Sequence, residues 1–167
     1  MMIFDSEYFY VCPIEISDVD NVVEVYNSNM IFLEKHTKNY PVTFEWVTEE
    51  LKSMRNAGFC SCKVVDKRTG KMVGIIDYKI EQESYLSLLI VHQDYQNMGY
   101  GKQIYRAFED YAKSRKSQCI RLDVANGYSD KVINFWIANG FEKLEDIKLN
   151  WAGVTLSAVI MKKYILT

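Results

Sequence analysis

A short run with two glycines, between an apolar stretch and a long amphipathic stretch, is the part of the sequence best suited to chemistry. Gly99 and Gly101 lack side chains, so their backbone N–H groups are accessible to an anion. The amphipathic stretch predicts a helix that begins here, and its unpaired N–H groups and dipole favour negative charge. The pattern indicates a phosphate-binding turn, with a simple glycine turn before a helix as the alternative. The run consists of Gln96, Asn97, Met98, Gly99, Tyr100, Gly101 and Lys102.

Two known phosphate motifs do not fit this run. A Walker A loop requires glycine where Gln96 stands, and Ser or Thr where Gln103 stands. The dinucleotide fingerprint requires a third glycine where Ile104 stands, and a parallel β-α-β unit near the N-terminus. The run is therefore neither a P-loop nor a dinucleotide site of that type.

The periodicity of apolar residues predicts the elements that position this run. Ser17 is the expected N-cap of the first helix, and residues 86–91, which lack polar alternation, are the expected most buried strand. The order β-α-α-β-β-β-α-β-α-β-β predicts an α/β fold, a mixed sheet with helices on both faces. Strands are predicted at 8–14, 59–65, 72–80, 85–91, 119–124, 141–149 and 155–164, and helices at 17–28, 44–56, 99–117 and 130–138.

Length and composition restrict the class of protein. The 167 residues fit one domain, and 20 basic against 22 acidic residues disfavour nucleic-acid binding. No apolar run is long enough for a membrane span, and no signal peptide is recognised, so a cytoplasmic protein is expected. The four cysteines are expected to be reduced core thiols. Only two histidines are present, far apart, so no metal site is expected.

Two motifs resemble those of the GCN5-related N-acetyltransferase (GNAT) family. The pattern Gln-x-x-Gly-x-Gly after an apolar strand is similar to motif A of that family. Downstream, Trp136, Gly140 and Phe141 resemble the late signature of an aromatic residue, three further residues and Gly-Phe. The resemblance covers residues from about 72 onward well, and the N-terminal half only in element order. It implies a GNAT-like, mostly antiparallel sheet and acetyl-CoA-dependent N-acetyltransferase activity, with no metal.

The same resemblance implies how acetyl-CoA is held. The strand before the glycine run offers backbone groups to the pantetheine arm where it splays from its neighbour, and the glycine run holds the pyrophosphate. Lys102 adds a charge to the phosphates, or is simply solvated. Asn126 and an aromatic pair flank the thioester end, with ordinary turn and core roles as the alternative. The strand residues are Leu89, Ile90 and Val91, and the aromatic pair is Phe135 and Trp136.

Acetyl transfer to an amine requires a neutral amine, so a base is needed. Some relatives carry it at positions that hold Tyr85 and Ser87 here. Glu83 shares a strand face with Tyr85 and is a candidate base, acting directly or through water, with a solvated surface carboxylate as the alternative. Glu34 and His36, in the region that lines acceptor sites in this family, are weaker candidates.

The reaction also requires a polarised thioester carbonyl and a proton for the departing thiolate. The resemblance implies that a backbone N–H at a strand bulge near Leu88 or Leu89 polarises the carbonyl. Many relatives supply the proton from a tyrosine, but Trp136 stands at that position. Tyr128, Tyr105 or solvent therefore replaces it.

The sequence leaves open the acceptor and two rival classes of protein. The expected acceptor is a primary amine of a small molecule or a peptide; a protein N-terminus or lysine would require an open groove. One rival class is a catalytically weak CoA-binding or regulatory module, which Trp136 and the missing strand carboxylate favour. A dimer-forming structural domain is a further alternative. The expected assembly is a monomer or a homodimer.

Overall fold

One eight-stranded sheet with helices on both faces forms the framework of the chain. The computed structural model describes residues 1–37, 40–126, 130–151 and 153–166. Its strands are β1 (Phe4–Asp5), β2 (Phe9–Pro13), β3 (Cys60–Asp66), β4 (Met72–Lys79), β5 (Glu83–Val91), β6 (Cys119–Ala125), β7 (Glu142–Trp151) and β8 (Val154–Tyr164). Its helices are α1 (Val19–Asn27), α2 (Met30–His36), α3 (Phe44–Asn56), α4 (Tyr100–Ser114) and α5 (Asp130–Ala138).

The sheet is mixed, as the sequence predicts. Its order is β1-β2-β3-β4-β5-β6-β8-β7, and the one parallel pair among the described strands is β5 with β6. Two hydrophobic clusters cover opposite faces. Phe108 on α4 and Trp136 on α5 belong to the first, and Val22 on α1 and Val47 on α3 belong to the second. The prediction of helices on both faces is confirmed.

Two short elements were not predicted, β1 and α2, because each is too short to show a clear apolar period. The N-cap assignment of Ser17 was wrong. Ser17 lies inside a single 3-10 turn, Ile16–Asp18, and the Asp18 carboxylate accepts from the Glu15 N–H at 2.8 Å. Helix α1 begins at Val19. Helices α3 and α5 have the predicted bounds, and the Thr43 hydroxyl caps α3 by accepting from the Trp46 N–H.

The prediction that residues 86–91 form the most buried strand was also wrong. Six consecutive residues of β4 are buried, from Val73 to Tyr78, whereas Ser87 on β5 is exposed and Leu88 and Leu89 are half-buried. The difference arises because part of β5 lines a cleft.

Three of the four cysteines are buried, but Cys60, the first residue of β3, is exposed, which corrects the prediction of core thiols throughout. All four are free thiols. In the described ranges, no helix combines the length and apolar character that crossing a bilayer requires.

Candidate active site

A cleft opens in the middle of the sheet, between β5 and β6. The two strands pair only over their first residues, from Glu83 with Cys119 to Tyr85 with Arg121. Beyond this point β5 continues beside β4, and β6 continues beside β8. Residues 86–91 therefore have an open strand edge that faces the cleft.

A β-bulge lies at the start of this open edge. Asp77 pairs with Leu88 and Tyr78 with Leu86, so Ser87 is the extra residue. A bulge bends its strand and increases the local twist. It therefore accounts for the divergence of β5 from β6 immediately after their paired residues.

The backbone groups at the open edge follow from the ladder between β4 and β5. The His92 N–H donates to the Val73 carbonyl at 2.9 Å. Because the backbone groups of a strand point alternately to its two sides, those of Ile90 face β4, and those of Leu89 and Val91 face the cleft. Of the three predicted strand residues, Ile90 thus keeps its backbone bonds within the sheet.

Part of this edge is already occupied by side chains. The Gln96 side-chain amide donates to the Val91 carbonyl at 3.0 Å and to the Asn29 side-chain oxygen at 2.6 Å. The Asn29 amide donates to the same carbonyl at 3.1 Å. The Gln96 side chain thus ties the turn to β5 and to Asn29, the N-cap residue of α2. The backbone groups of Leu89 and the Val91 N–H are left for a ligand.

The glycine run forms the turn into α4, as predicted. Gly99 is the N-cap residue of α4, with a left-handed φ of 82°, and Asn97 also has a positive φ of 63°. Gly101 lies in the first turn of the helix, and Lys102 is exposed. The Tyr100 hydroxyl donates to Asp66 at 3.3 Å and fixes the helix start to β3. The first N–H groups of α4 are therefore presented at one end of the cleft.

The aromatic pair lies between α4 and α5. A Cβ atom at Gly101 would lie at an ordinary contact distance of 3.6 Å from the Phe135 ring, so the start of α4 packs directly beside this ring of α5. Trp136 packs edge-on against Tyr105 and Phe141, with ring centroids 5.3 Å away in both cases. Trp136 also lines the cleft, whereas Asn126 lines a separate depression beside β7 and β8.

A cavity of about 390 Å³ occupies the other end of the cleft. Its wall combines β4, β5, β6, α2, α3, α5 and the end of β7, and includes three carboxylates, Asp77, Glu50 and Asp123. Several aromatic rings complete it: Phe32, His36, Phe59, Tyr85, Trp136 and Trp151. This volume is within the range of small-molecule sites.

Asp77 is the most unusual carboxylate of the cavity. It is 4% exposed, and neither its Oδ1 nor the Oγ of Ser61, its neighbour on β3, has a hydrogen-bond partner among the described residues. Burial raises the pKa of Asp77 to about 7; the nearby Ser61 hydroxyl opposes this, and the negative charge of Glu50 adds to it. Asp77 therefore changes its charge near neutral pH.

Glu50 is held by a ring at the cavity mouth. The Trp151 indole N–H donates to the Glu50 carboxylate at 2.8 Å. Phe32 lies 5.7 Å from Trp151 and 4.2 Å from His36, centroid to centroid. Burial lowers the pKa of His36, so this imidazole is neutral at physiological pH. The described part of the chain shows no lysine or arginine ion-paired with Asp77 or Glu50.

The structure separates the predicted catalytic residues. Tyr85 lines the cavity, and its hydroxyl donates to Asp123 at 2.5 Å. Burial and this bond raise the pKa of Tyr85, so it remains protonated. Glu83 does not line the cavity and instead pairs with Lys162 at 2.6 Å. Tyr128 lies outside the described residues.

Sequence reasoning missed Asp77, Glu50 and Trp151. The sequence contained one signal for Asp77, because this residue is a lone aspartate between the apolar residues 72–76 and Tyr78. A carboxylate at such a position is buried and is a candidate for function. Glu50 and Trp151 carry no comparable local signal.

Comparison with known proteins agrees with this geometry. The model of the acetyltransferase (GNAT) family matches residues 22–141. This range includes most of the chain, both predicted motifs and the strands on either side of the cleft. The chain belongs to the GNAT acetyltransferase family, and its class is that of acyl-CoA-dependent N-acetyltransferases.

Solved structures share the fold over nearly the whole chain. An acetyltransferase from Thermus thermophilus has a TM-score of 0.73 at 21% identity, covering 96% of this chain and 98% of that one. A ribosomal-protein-S5-alanine acetyltransferase from Vibrio fischeri has a TM-score of 0.73 at 19% identity, covering 96% and 95%. A chimera of the Vibrio cholerae spermidine N-acetyltransferase SpeG with hSSAT has a TM-score of 0.75 at 15% identity, covering 95% and 96%. At these identities the likeness shows the fold alone.

One curated protein matches over a shorter stretch. AAA-ATPase At5g17760 from Arabidopsis thaliana is 34% identical over 73 residues. The match includes 41% of this chain and 14% of that protein. The chain thus spans about a seventh of the length of this relative. The glycine run of this chain does not match the P-loop pattern.

Proposed function

We propose that residues 1–167 form one domain that transfers the acetyl group of acetyl-CoA directly to a primary amine of a small molecule or peptide. The observation that carries the proposal is the opening between β5 and β6. It connects the N-terminus of α4, suited to phosphate, with a cavity of about 390 Å³ lined by carboxylates and rings. A thioester in this opening would lie between the two.

In the proposal, the cofactor lies along the open edge of β5. Backbone N–H groups of the run from Gln96 to Lys102 bind the pyrophosphate, supported by the helix dipole. The pantetheine amides bond the Leu89 carbonyl and the Val91 N–H, which face the cleft, while Phe135 and Trp136 cover the arm. Asn126, which lines another depression, contributes least.

In the proposed reaction, the acetyl group passes from the cofactor end of the cleft to an amine in the cavity at the other end. The amine nitrogen attacks the thioester carbonyl carbon, and the Leu89 N–H stabilises the oxyanion that forms. Collapse breaks the C–S bond and leaves the acetamide. The departing thiolate takes one proton from solvent, because the Tyr85 hydroxyl in the cavity wall already donates to Asp123 and its raised pKa makes it a poor acid.

The proposal includes a cytoplasmic location. Its support is the reduced state of all four cysteines, which include the exposed Cys60. Free thiols are typical of reducing compartments.

The test is turnover. The protein is incubated with acetyl-CoA and a panel of primary amines, free thiol is followed with a chromogenic disulfide, and products are identified by mass. Amine-dependent thiol release with an acetylated product is expected. Acetyl-CoA binding without transfer to any amine would instead indicate the CoA-binding module, which lacks the family's tyrosine at Trp136.

A further inference from the structure

The acceptor end of the cleft contains a buried carboxylate with an unsatisfied oxygen. Asp77 Oδ1 is unsatisfied among the described residues, although the residue is 4% exposed and lines the cavity. A buried carboxylate oxygen without a hydrogen bond or a cation beside it is costly. A charged ligand that donates to it would remove this cost.

The position of Asp77 within the sheet would allow its side chain to contact an acceptor amine. Ile75, two residues earlier on β4, packs in the cluster with α1 and α3, whereas Ile76 and Tyr78 pack in the cluster with α4. Because side chains alternate along a strand, Asp77 faces α1 and α3. This is the face opposite the proposed cofactor helix, and Leu88, the cross-strand neighbour of Asp77, lies at the open edge of β5.

The groups around Asp77 make this end of the cavity negative. Glu50 faces it from α3, the neutral His36 lines the same cavity from α2, and the Tyr26 phenol on α1 has its pKa raised by burial and by the charges of Asp77 and Glu50. The nearest cations of this strand and of the adjoining β3 are engaged elsewhere. Lys63 on β3 pairs with Asp18 at 2.7 Å, and Lys79 on β4 lies 4.5 Å from the centre of the Phe59 ring.

The aromatic rings of the cavity determine which chemical groups fit beside the charged group of a ligand. Phe32, Trp151 and Phe59 offer flat apolar surfaces around the carboxylates, and aromatic faces attract both apolar groups and cations. A folded peptide terminus or a long polyamine would have to place further polar or charged groups against these rings.

We propose that this cavity is the acceptor site, that it takes a small primary monoamine with a flat apolar body, and that Asp77 binds its ammonium group and accepts one of its protons. The inference rests on the proposed function. The ammonium nitrogen loses one proton to the Asp77 carboxylate, and the freed electron pair forms the N–C bond as the C–S bond breaks. The second proton leaves the nitrogen for solvent, which in turn supplies the one taken by the thiolate, and the third stays on the amide.

The experiment compares wild type with Asp77→Asn, using 2-phenylethylamine as acceptor. The substitution keeps the shape of the side chain and removes the base. We expect kcat/KM to fall by about 100-fold or more, while calorimetry shows acetyl-CoA affinity unchanged within about two-fold. Retained kcat/KM in the variant would overturn the role of Asp77.

A pH profile separates a base from a merely structural residue. Wild-type kcat/KM should rise with pH and level off as Asp77 loses its proton, and this rise should be absent in Asp77→Asn. Glu50→Gln should move the rise to lower pH, because the Glu50 charge raises the pKa of Asp77. An unmoved profile in both variants would contradict the proposal.

Acceptor class is tested with the same wild-type protein. 2-Phenylethylamine should have a kcat/KM at least about ten-fold above those of spermidine and of a peptide with an N-terminal alanine, since one methylene-sized mismatch already changes rates by about ten-fold or more. Preference for either rival would overturn the proposed class and leave the proposed function standing. No turnover with any amine would contradict both.

Discussion

The two ends of the cleft are built in different ways. The cofactor end is one continuous stretch, in which Gln96, Gly99 and Gly101 form a turn into α4. The acceptor end is assembled from distant parts, with Glu50, Asp77 and Trp151 brought together by α3, β4 and β7. The comparison indicates that the cofactor end is part of the stable framework, whereas the acceptor end retains a carboxylate that costs stability.

Truncation of Trp136, which is proposed to cover the cofactor arm and also lines the cavity, gives the largest expected loss of stability. Trp136 is buried and packs against Tyr105 and Phe141, so Trp136→Ala should lower the free energy of unfolding by about 3–5 kcal/mol. Trp136→Phe keeps a ring and should lose clearly less. Urea unfolding measures both. A small loss for Trp136→Ala would mean that this ring serves the cofactor rather than the core.

The opposite effect is expected at the acceptor end. The pKa of Asp77 is raised from 3.8 to about 7 in the folded chain, so the folded state binds the extra proton. Stability from this group is complete below about pH 4 and is lost as pH rises through 7. Asp77→Asn has no carboxylate that titrates and therefore does not lose this stability as pH rises. The Tm of the variant minus that of wild type should accordingly increase by roughly 5–10 °C from pH 4 to pH 8.

Scanning calorimetry at the two pH values measures this difference, and wild type at each pH is its control. A Tm difference that does not change with pH would mean that Asp77 is not protonated in the folded protein near neutrality. Asp77 would then not destabilise the folded protein at neutral pH, and the difference in stability proposed between the two ends of the cleft would be wrong.

A smaller effect is expected at the cavity mouth. Trp151→Phe keeps a ring beside Phe32 but removes the N–H that donates to Glu50. A hydrogen bond to a charged group contributes about 1.5–3 kcal/mol, so KM for the amine should rise roughly ten-fold or more. Acetyl-CoA affinity should not change. Steady-state kinetics and calorimetry check the two values, and an equal loss in both would mean that the ends are not separable.

The smallest effect is expected at Glu83, the base suggested by the sequence. It pairs with Lys162 on the surface and does not line the cavity. Glu83→Gln should change stability by less than about 1 kcal/mol and leave kcat within about two-fold. A 100-fold loss of kcat in this variant would instead make Glu83 the base and remove that role from Asp77.

The same contrast explains what the sequence could predict. The helix bounds of α3 and α5 and the turn at Gly99 depend on local spacing, which is visible along the chain. The short α2 and the edge strand β1 have no such period. The partnership of Trp151 with Glu50 depends on tertiary packing, and the burial of Asp77 depends on the helices that cover β4. Only the interrupted apolar pattern of β4 signals Asp77 in advance.

The central claim, that the cleft binds acetyl-CoA through the glycine run, is tested most directly by calorimetric titration of wild type, Gly101→Glu and Gly101→Gln. Gly101 lies in the helix, and a Cβ there would meet Phe135 at an ordinary 3.6 Å, so both variants should fold. We expect wild type to bind acetyl-CoA at micromolar concentration, Gly101→Gln to bind more weakly, and Gly101→Glu to bind at least about ten-fold more weakly again, because its charge opposes phosphate. No binding by wild type, or equal affinity in all three proteins, would contradict the account.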